Sequence, residues 1–274
     1  MTTSRSSRGS EQPTEKNDHM SRPVPEWFTI AEDATPKVME RVGSAVTANA
    51  MMPQVKSAPM LAHWFVLDTL LLANQANRDG MHANALALTR QCVEAISIIE
   101  LGICRHPDAE ATLLKWDADE LTPGKLRAWL QANVWHGYGV GLWSEPWSTF
   151  MREFAGAVQP YAHYGRALAQ WQLRLLRFHD AGQPDADSHA IIEMRPRAYD
   201  AQKATRITLF HALLSYVLGR TWAAANPADA EFAALIARLG LALGKSRYLD
   251  GRQTDWGQQF WAMVWERGGG TILE

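Results

Sequence analysis

Cysteine is almost missing from this chain. Its two residues in 274, Cys92 and Cys104, both sit in apolar stretches. Two isolated thiols build no disulfide framework, and no CxxC or Cys/His spacing suited to zinc occurs. An excess of one charge is missing as well: 27 Lys and Arg face 29 Asp and Glu, for a net charge of −2. That balance excludes a strongly basic nucleic-acid coat and leaves room only for local basic patches. Long hydrophobic runs are absent too. The longest, residues 60–73, is interrupted by His63, Asp68 and Thr69, and it falls short of the roughly 20 residues that cross a bilayer. No membrane partner and a cytoplasmic location are therefore expected. There is no Walker loop, GxGxxG, GxSxG or Glu-x-x-His pair. The His-x-x-x-Glu spacings at His106–Glu110 and His189–Glu193 stand alone, so neither a metal nor a cofactor is expected.

What is present is apolar and helical in its patterning. Hydrophobic residues make up 47% and charged residues 20%, the mixture of a globular chain with ample length for a core. Residues 1–24, rich in Ser, Thr, Arg, Glu and Pro, lack the apolar side chains that offset ordering entropy, so a disordered tail is expected there. A single domain over 25–267 and a flexible end over 268–274, after three glycines, complete the expected organisation. Arginine outnumbers lysine 20 to 7 and alanine is abundant, a composition resembling that of high-GC bacterial genomes.

Apolar periodicity predicts helices over 25–33, 36–50, 57–78, 81–103, 107–116, 123–135, 147–158, 199–225, 227–243 and 255–266. Gly80 stands where a helix-ending glycine belongs, and Thr122-Pro123 reads as an N-cap followed by a proline at the first helical position. Short apolar runs at 173–178 and 190–195 flank a turn-rich linker, the pattern of a β-hairpin. The expected fold is all-α, a bundle of about nine helices with room for one small β-hairpin.

Three groups of residues carry candidate chemistry. On the apolar segment 85–99, Arg90, Glu94 and Ser97 recur at i, i+4 and i+7 and share one helical face. A charged pair on an otherwise buried helix is costly unless satisfied, so it either fixes the register of the helix or lines a cleft. Next, His163 lies between Tyr161 and Tyr164 and before Arg166, after the helix-ending Pro160. Histidine is the usual acid or base near neutral pH; the same residue can equally be a packed, hydrogen-bonded core group. Finally, Arg174, Arg177, Arg195, Arg197, Lys203 and Arg206 form a basic strip around the expected hairpin, either a phosphate-contacting surface or a solvated face. Gly137, Gly139 and Gly141 have no lysine behind them and read as a flexible loop. Among the 12 tryptophans, Trp261 and Trp265 share a face of the last expected helix. That face must dock on the core or on a second subunit, which makes a homodimer through the aromatic C-terminal helix one expectation.

The succession of Arg90-x-x-x-Glu94 on an apolar helix, His106-Pro-Asp-Ala109, a Lys-Leu-Arg helix and Tyr161-x-His163 resembles bacterial helical proteins that are distantly similar to the HEPN superfamily (higher eukaryote and prokaryote nucleotide-binding). The resemblance covers roughly residues 60–170. It implies a helical bundle and RNA or nucleotide as partner. In many members it also implies metal-independent ribonuclease activity, dimers and a role in toxin–antitoxin or antiphage defence; other members only bind ligands or partners. Arg90, Glu94 and His163 would then be the catalytic candidates, with Tyr161, Arg166, Arg206 and His211 as ligand-binding candidates. The chain departs from the ribonuclease pattern of Arg, a polar residue and a later His. In Arg174–His179 and Arg206–His211 the polar place is taken by Leu175 and Ile207. The alternative reading is a non-enzymatic helical interaction or oligomerisation protein.

Overall fold

The computed structural model describes residues 24–179 and 189–246, without the side chains of 175–179 and 189–192. The tail over 1–23, the linker 180–188, the expected helix 255–266 with Trp261 and Trp265, and the end 268–274 lie outside the described residues. Within them the chain is an all-α bundle with one two-stranded sheet. Its helices are α1 (Glu26–Thr47), α2 (Pro53–Lys56), α3 (Ala58–Arg78), α4 (His82–Ile103), α5 (Ala109–Asp117), α6 (Pro123–Asn133), α7 (Trp147–Val158), α8 (Arg166–Gln170), α9 (Ala201–Ala225) and α10 (Ala230–Gly244). Strands β1 (Leu173–His179) and β2 (His189–Met194) pair antiparallel, with Leu173 opposite Met194 and a register shift between Leu175 and Arg177.

Helix α4 is the axis of the bundle. It pairs along its length with α3 and packs against α9, α1, α5, α6 and α8. Leu86, Val93, Ile96, Ile99 and Leu101 point from it into the core together with the Cys92 thiol. Burial pushes that thiol up to about 12 and the Cys104 thiol at the end of the helix to about 11. The turn between α3 and α4 has a Schellman geometry. Gly80 N–H donates to Asn77 C=O at 3.2 Å and Met81 N–H to Ala76 C=O at 2.8 Å, with Gly80 at φ +74°. A Cβ at Gly80 would also lie 2.7 Å from the Tyr199 backbone nitrogen, so glycine is needed for packing as well as for conformation.

Helix α1 differs from the expectation of two short helices, because it runs unbroken through Pro36. Proline cannot donate to the Glu32 carbonyl four residues back. Both Pro36 and Glu32 are exposed, however, so water can take that role, while Ala34 and Val38 on the opposite face are sealed in the core. Two long-range contacts then tie α1 to the C-terminal helices. Thr35 Oγ1 donates to Ser215 Oγ at 2.9 Å. Arg41 Nε reaches Asp229 Oδ2 at 3.1 Å, with its guanidinium over the Phe232 ring.

Among the described side chains the basic strip is partly neutralised and partly buried. Arg174 and Arg195 both pair with Glu193 on β2. Lys203 is buried, and its ammonium donates to the carbonyls of Gln170, Trp171 and Leu173 at the root of the hairpin. Burial brings that amine down to about 8 against the pull of Asp200. The apolar tail and polar head of lysine thus clamp the base of β1 to α9. Arg206 sits half-buried on the same stretch of α9 and has its own partner. No helix among the described residues is long and apolar enough to cross a membrane.

Candidate functional site

Arg90 and Glu94 do stack on one face of α4, and the spacing works as the sequence implies: Arg90 Nη2 donates to Glu94 Oε1 at 2.8 Å. Their environments are unequal, with side-chain exposures of 6% for Arg90 and 43% for Glu94. The same Nη2 also donates to Gln159 Oε1 at 2.9 Å, and Gln159 begins the short 3-10 turn after α7. A second guanidinium lies close by on α6. Burial lowers the Arg127 pKa, repulsion from Arg90 adds to the effect, and attraction to Glu94 opposes it. Two buried N–H groups of this cluster, Arg90 Nε and Arg127 Nη1, have no partner among the described residues.

Beside the cluster opens a cleft of about 840 Å³. Arg90, Glu94 and Gln159 line it, and so does His163, exposed just beyond the 3-10 turn. The three proposed catalytic residues therefore share one cleft, although they come from α4 and from a loop about 70 residues further along. Apolar walls are supplied by Leu61 and Phe65 of α3, Trp116 of α5, and Ala62 and Ala95. Asp117 stands at the edge, accepting from Gln54 Nε2 at 2.9 Å. Among the described residues no three His, Cys, Asp or Glu side chains are grouped so as to hold a metal.

The remaining candidates lie elsewhere. Tyr161 is buried with its ring edge-on to Trp171 at 6.0 Å, so it packs the core and does not line the cleft. Two residues on, His163 is exposed, so the neighbouring side chains meet different surroundings. Arg166, exposed at the start of α8, also stands outside the cleft lining. His211 lies under a different cleft, between α1, α3 and α9. Its Nδ1 donates to Asn74 Oδ1 at 3.0 Å, and Nε2 faces Thr89 Oγ1 at 2.8 Å. Burial brings its pKa down to about 4. Such a ring is a satisfied neutral core group.

Sequence reasoning missed Arg127 and Gln159 as members of the cluster. Arg127 belongs to the Lys-Leu-Arg helix, and only its distance from Arg90 in the fold gives it meaning. Gln159 follows the end of an amphipathic helix and carries no pattern of its own. Neither a protein-family model, nor a curated protein, nor a solved structure matches this chain.

Proposed function

We propose that the cleft beside α4 binds a phosphate-bearing ligand, RNA or a nucleotide, in keeping with the HEPN resemblance and with a cytoplasmic bacterial defence or stress role. One observation carries this reading. Arg90 keeps a buried, unpartnered N–H beside an open cleft that it lines, and the guanidinium of Arg127 adds positive charge nearby. Buried donors without acceptors are uncommon and call for a partner. A phosphate oxygen is the acceptor that guanidinium geometry suits best. Glu94 holds Arg90 in place when the cleft is empty and competes with an entering anion. At the mouth, His163 is the residue type able to take or give a proton on a 2′-hydroxyl or a leaving oxygen, which would make the site a metal-independent ribonuclease.

The test is direct binding of labelled RNA and of mononucleotides by the purified full chain, with and without Mg²⁺, over a range of salt. Binding should weaken with salt, as phosphate contacts do, and Arg127→Gln should weaken it further with the fold intact. Absence of any salt-dependent binding overturns the reading. The second reading, an interaction protein assembling with another copy of itself, is favoured by the exposed apolar residues Leu61, Trp64, Phe65, Leu71 and Leu72 on one face of α3. A stable homodimer without RNA or nucleotide binding would select it.

A further inference from the structure

From the walls of the cleft we infer that its ligand carries an unpaired aromatic base, and that Phe65 is the residue that recognises it. This rests on the reading of Arg90, with the charge of Arg127 behind it, as the phosphate subsite. Phe65 is 43% exposed yet lines the cleft. Its neighbour Leu61, one helical turn back on α3, is 53% exposed and lines it too. Leaving a large ring half in water forgoes the burial that aromatic residues normally supply to a core. Nothing in the packing of α3 requires it, since His63, Val66 and Leu70 face the core from the same helix.

The cleft is also lined from α5 and α6, with half-buried Trp116 on α5. Four alanines line the cleft as well, Ala58 and Ala62 from α3 and Ala87 and Ala95 from α4, beside the bulkier Gln91, Ile98 and Leu126. Alanines let a flat ring approach the helix surfaces, and Phe65 and Trp116 supply aromatic side chains in the same lining. Arg90 lines the same cleft as Phe65, so one nucleotide could use both subsites. A base locked in a duplex has both faces covered by its neighbours, so a free nucleotide or a single-stranded end fits and a duplex interior does not.

The experiment compares AMP, ribose 5-phosphate, and single-stranded and blunt duplex RNA of one sequence by calorimetry on the full chain. Wild-type protein should bind AMP at least tenfold more tightly than ribose 5-phosphate, in line with the usual worth of one stacked base, and should prefer the single strand. Phe65→Ala should erase the tenfold difference while leaving ribose 5-phosphate binding unchanged, and Phe65→Trp should retain it. Equal affinity of the wild type for AMP and ribose 5-phosphate overturns the inference and leaves the phosphate subsite standing. Equal loss of both ligands in Phe65→Ala overturns it as well, because Phe65 would then only shape the cleft. If neither ligand binds, the phosphate reading beneath it falls too.

Discussion

Helix α4 carries two kinds of polar group, and they are treated in opposite ways. His82, Thr89 and Glu100 belong to closed networks. His82 Nε2 accepts the Asp200 backbone N–H at 2.9 Å and its Nδ1 donates to Asn77 Oδ1 at 3.0 Å, which fixes one neutral tautomer. Glu100 is sealed in the core and accepts from Trp135 Nε1 at 2.9 Å. Arg90 and Glu94 are different: one is buried, the other half-exposed, and one donor, Arg90 Nε, is left over beside the cleft. Closure marks polar groups that specify the fold, since each partner is protein. Surplus capacity next to a cleft marks groups whose remaining partner comes from outside.

The closed side should break most strongly with pH. Burial lowers His82 to about 4, with Lys203 adding to the effect and Asp200 opposing it; burial alone lowers His211 to about 4. The unfolded chain therefore binds more protons than the folded one between about pH 6.5 and 4, and stability falls as pH drops through that window. Each histidine accounts for about 3 kcal/mol in the limit. Glu100 has the opposite sign. Burial raises it to about 7, against the hydrogen bond from Trp135, so stability falls as pH rises from about 4.5 to 7. Between pH 4 and 8 the balance of these three groups places a stability maximum near pH 6.5. Glu100→Gln keeps an acceptor for Trp135 and removes the cost of a buried charge. It should gain on the order of 2–3 kcal/mol at pH 8 and steepen the acid limb. Urea titrations between pH 4 and 8 check both; an unchanged acid slope would show that Glu100 is ionised throughout.

On the open side the effects on stability should be smaller. Glu94→Ala strips Arg90 of one partner but leaves Gln159 and an opening to solvent, so the loss should be about 1–2 kcal/mol and not the 3–5 of a sealed pair. The same change should tighten phosphate binding, because the competing carboxylate is gone. A loss of 4 kcal/mol by denaturant titration would place the cluster with the closed networks. The smallest change in folding belongs to His163→Ala. An exposed side chain of this kind shifts stability by no more than about 0.5 kcal/mol, whereas RNA cleavage, if present, should disappear. A melting temperature lowered by many degrees would make His163 a packing residue.

Much of the fold is legible because its signals are local. Gly80, the Thr122-Pro123 start and the two runs around the hairpin linker state their geometry within a few residues. Pro36 misleads for the same reason: its local meaning is a helix break, and only the burial of Ala34 and Val38 against α9 and α10 overrides it. For the site, the i, i+4 pair is readable and its cleft is not. Arg127, Gln159 and Phe65 gain their roles from helices that meet in space. His211 and Tyr161 carry chemically capable groups, and nothing short of the packing around them shows that those groups are walled in. Lys203 looked like part of a cationic surface until three backbone carbonyls turned out to surround its ammonium.

The embrace of α1 by α9 and α10 also bears on how the chain is made. Thr35 waits for Ser215 and Arg41 for Asp229, partners that leave the ribosome some 180 residues later. The α3–α4 pair, joined by a tight turn, can form as soon as it is synthesised, since its contacts are near in sequence. Trp27, Ile30, Val38 and Val42 cannot be buried against their final neighbours until α9 is complete. For most of its synthesis the chain therefore carries an amphipathic first helix that α3 and α4 cover only in part, a segment open to chaperones or to other nascent copies.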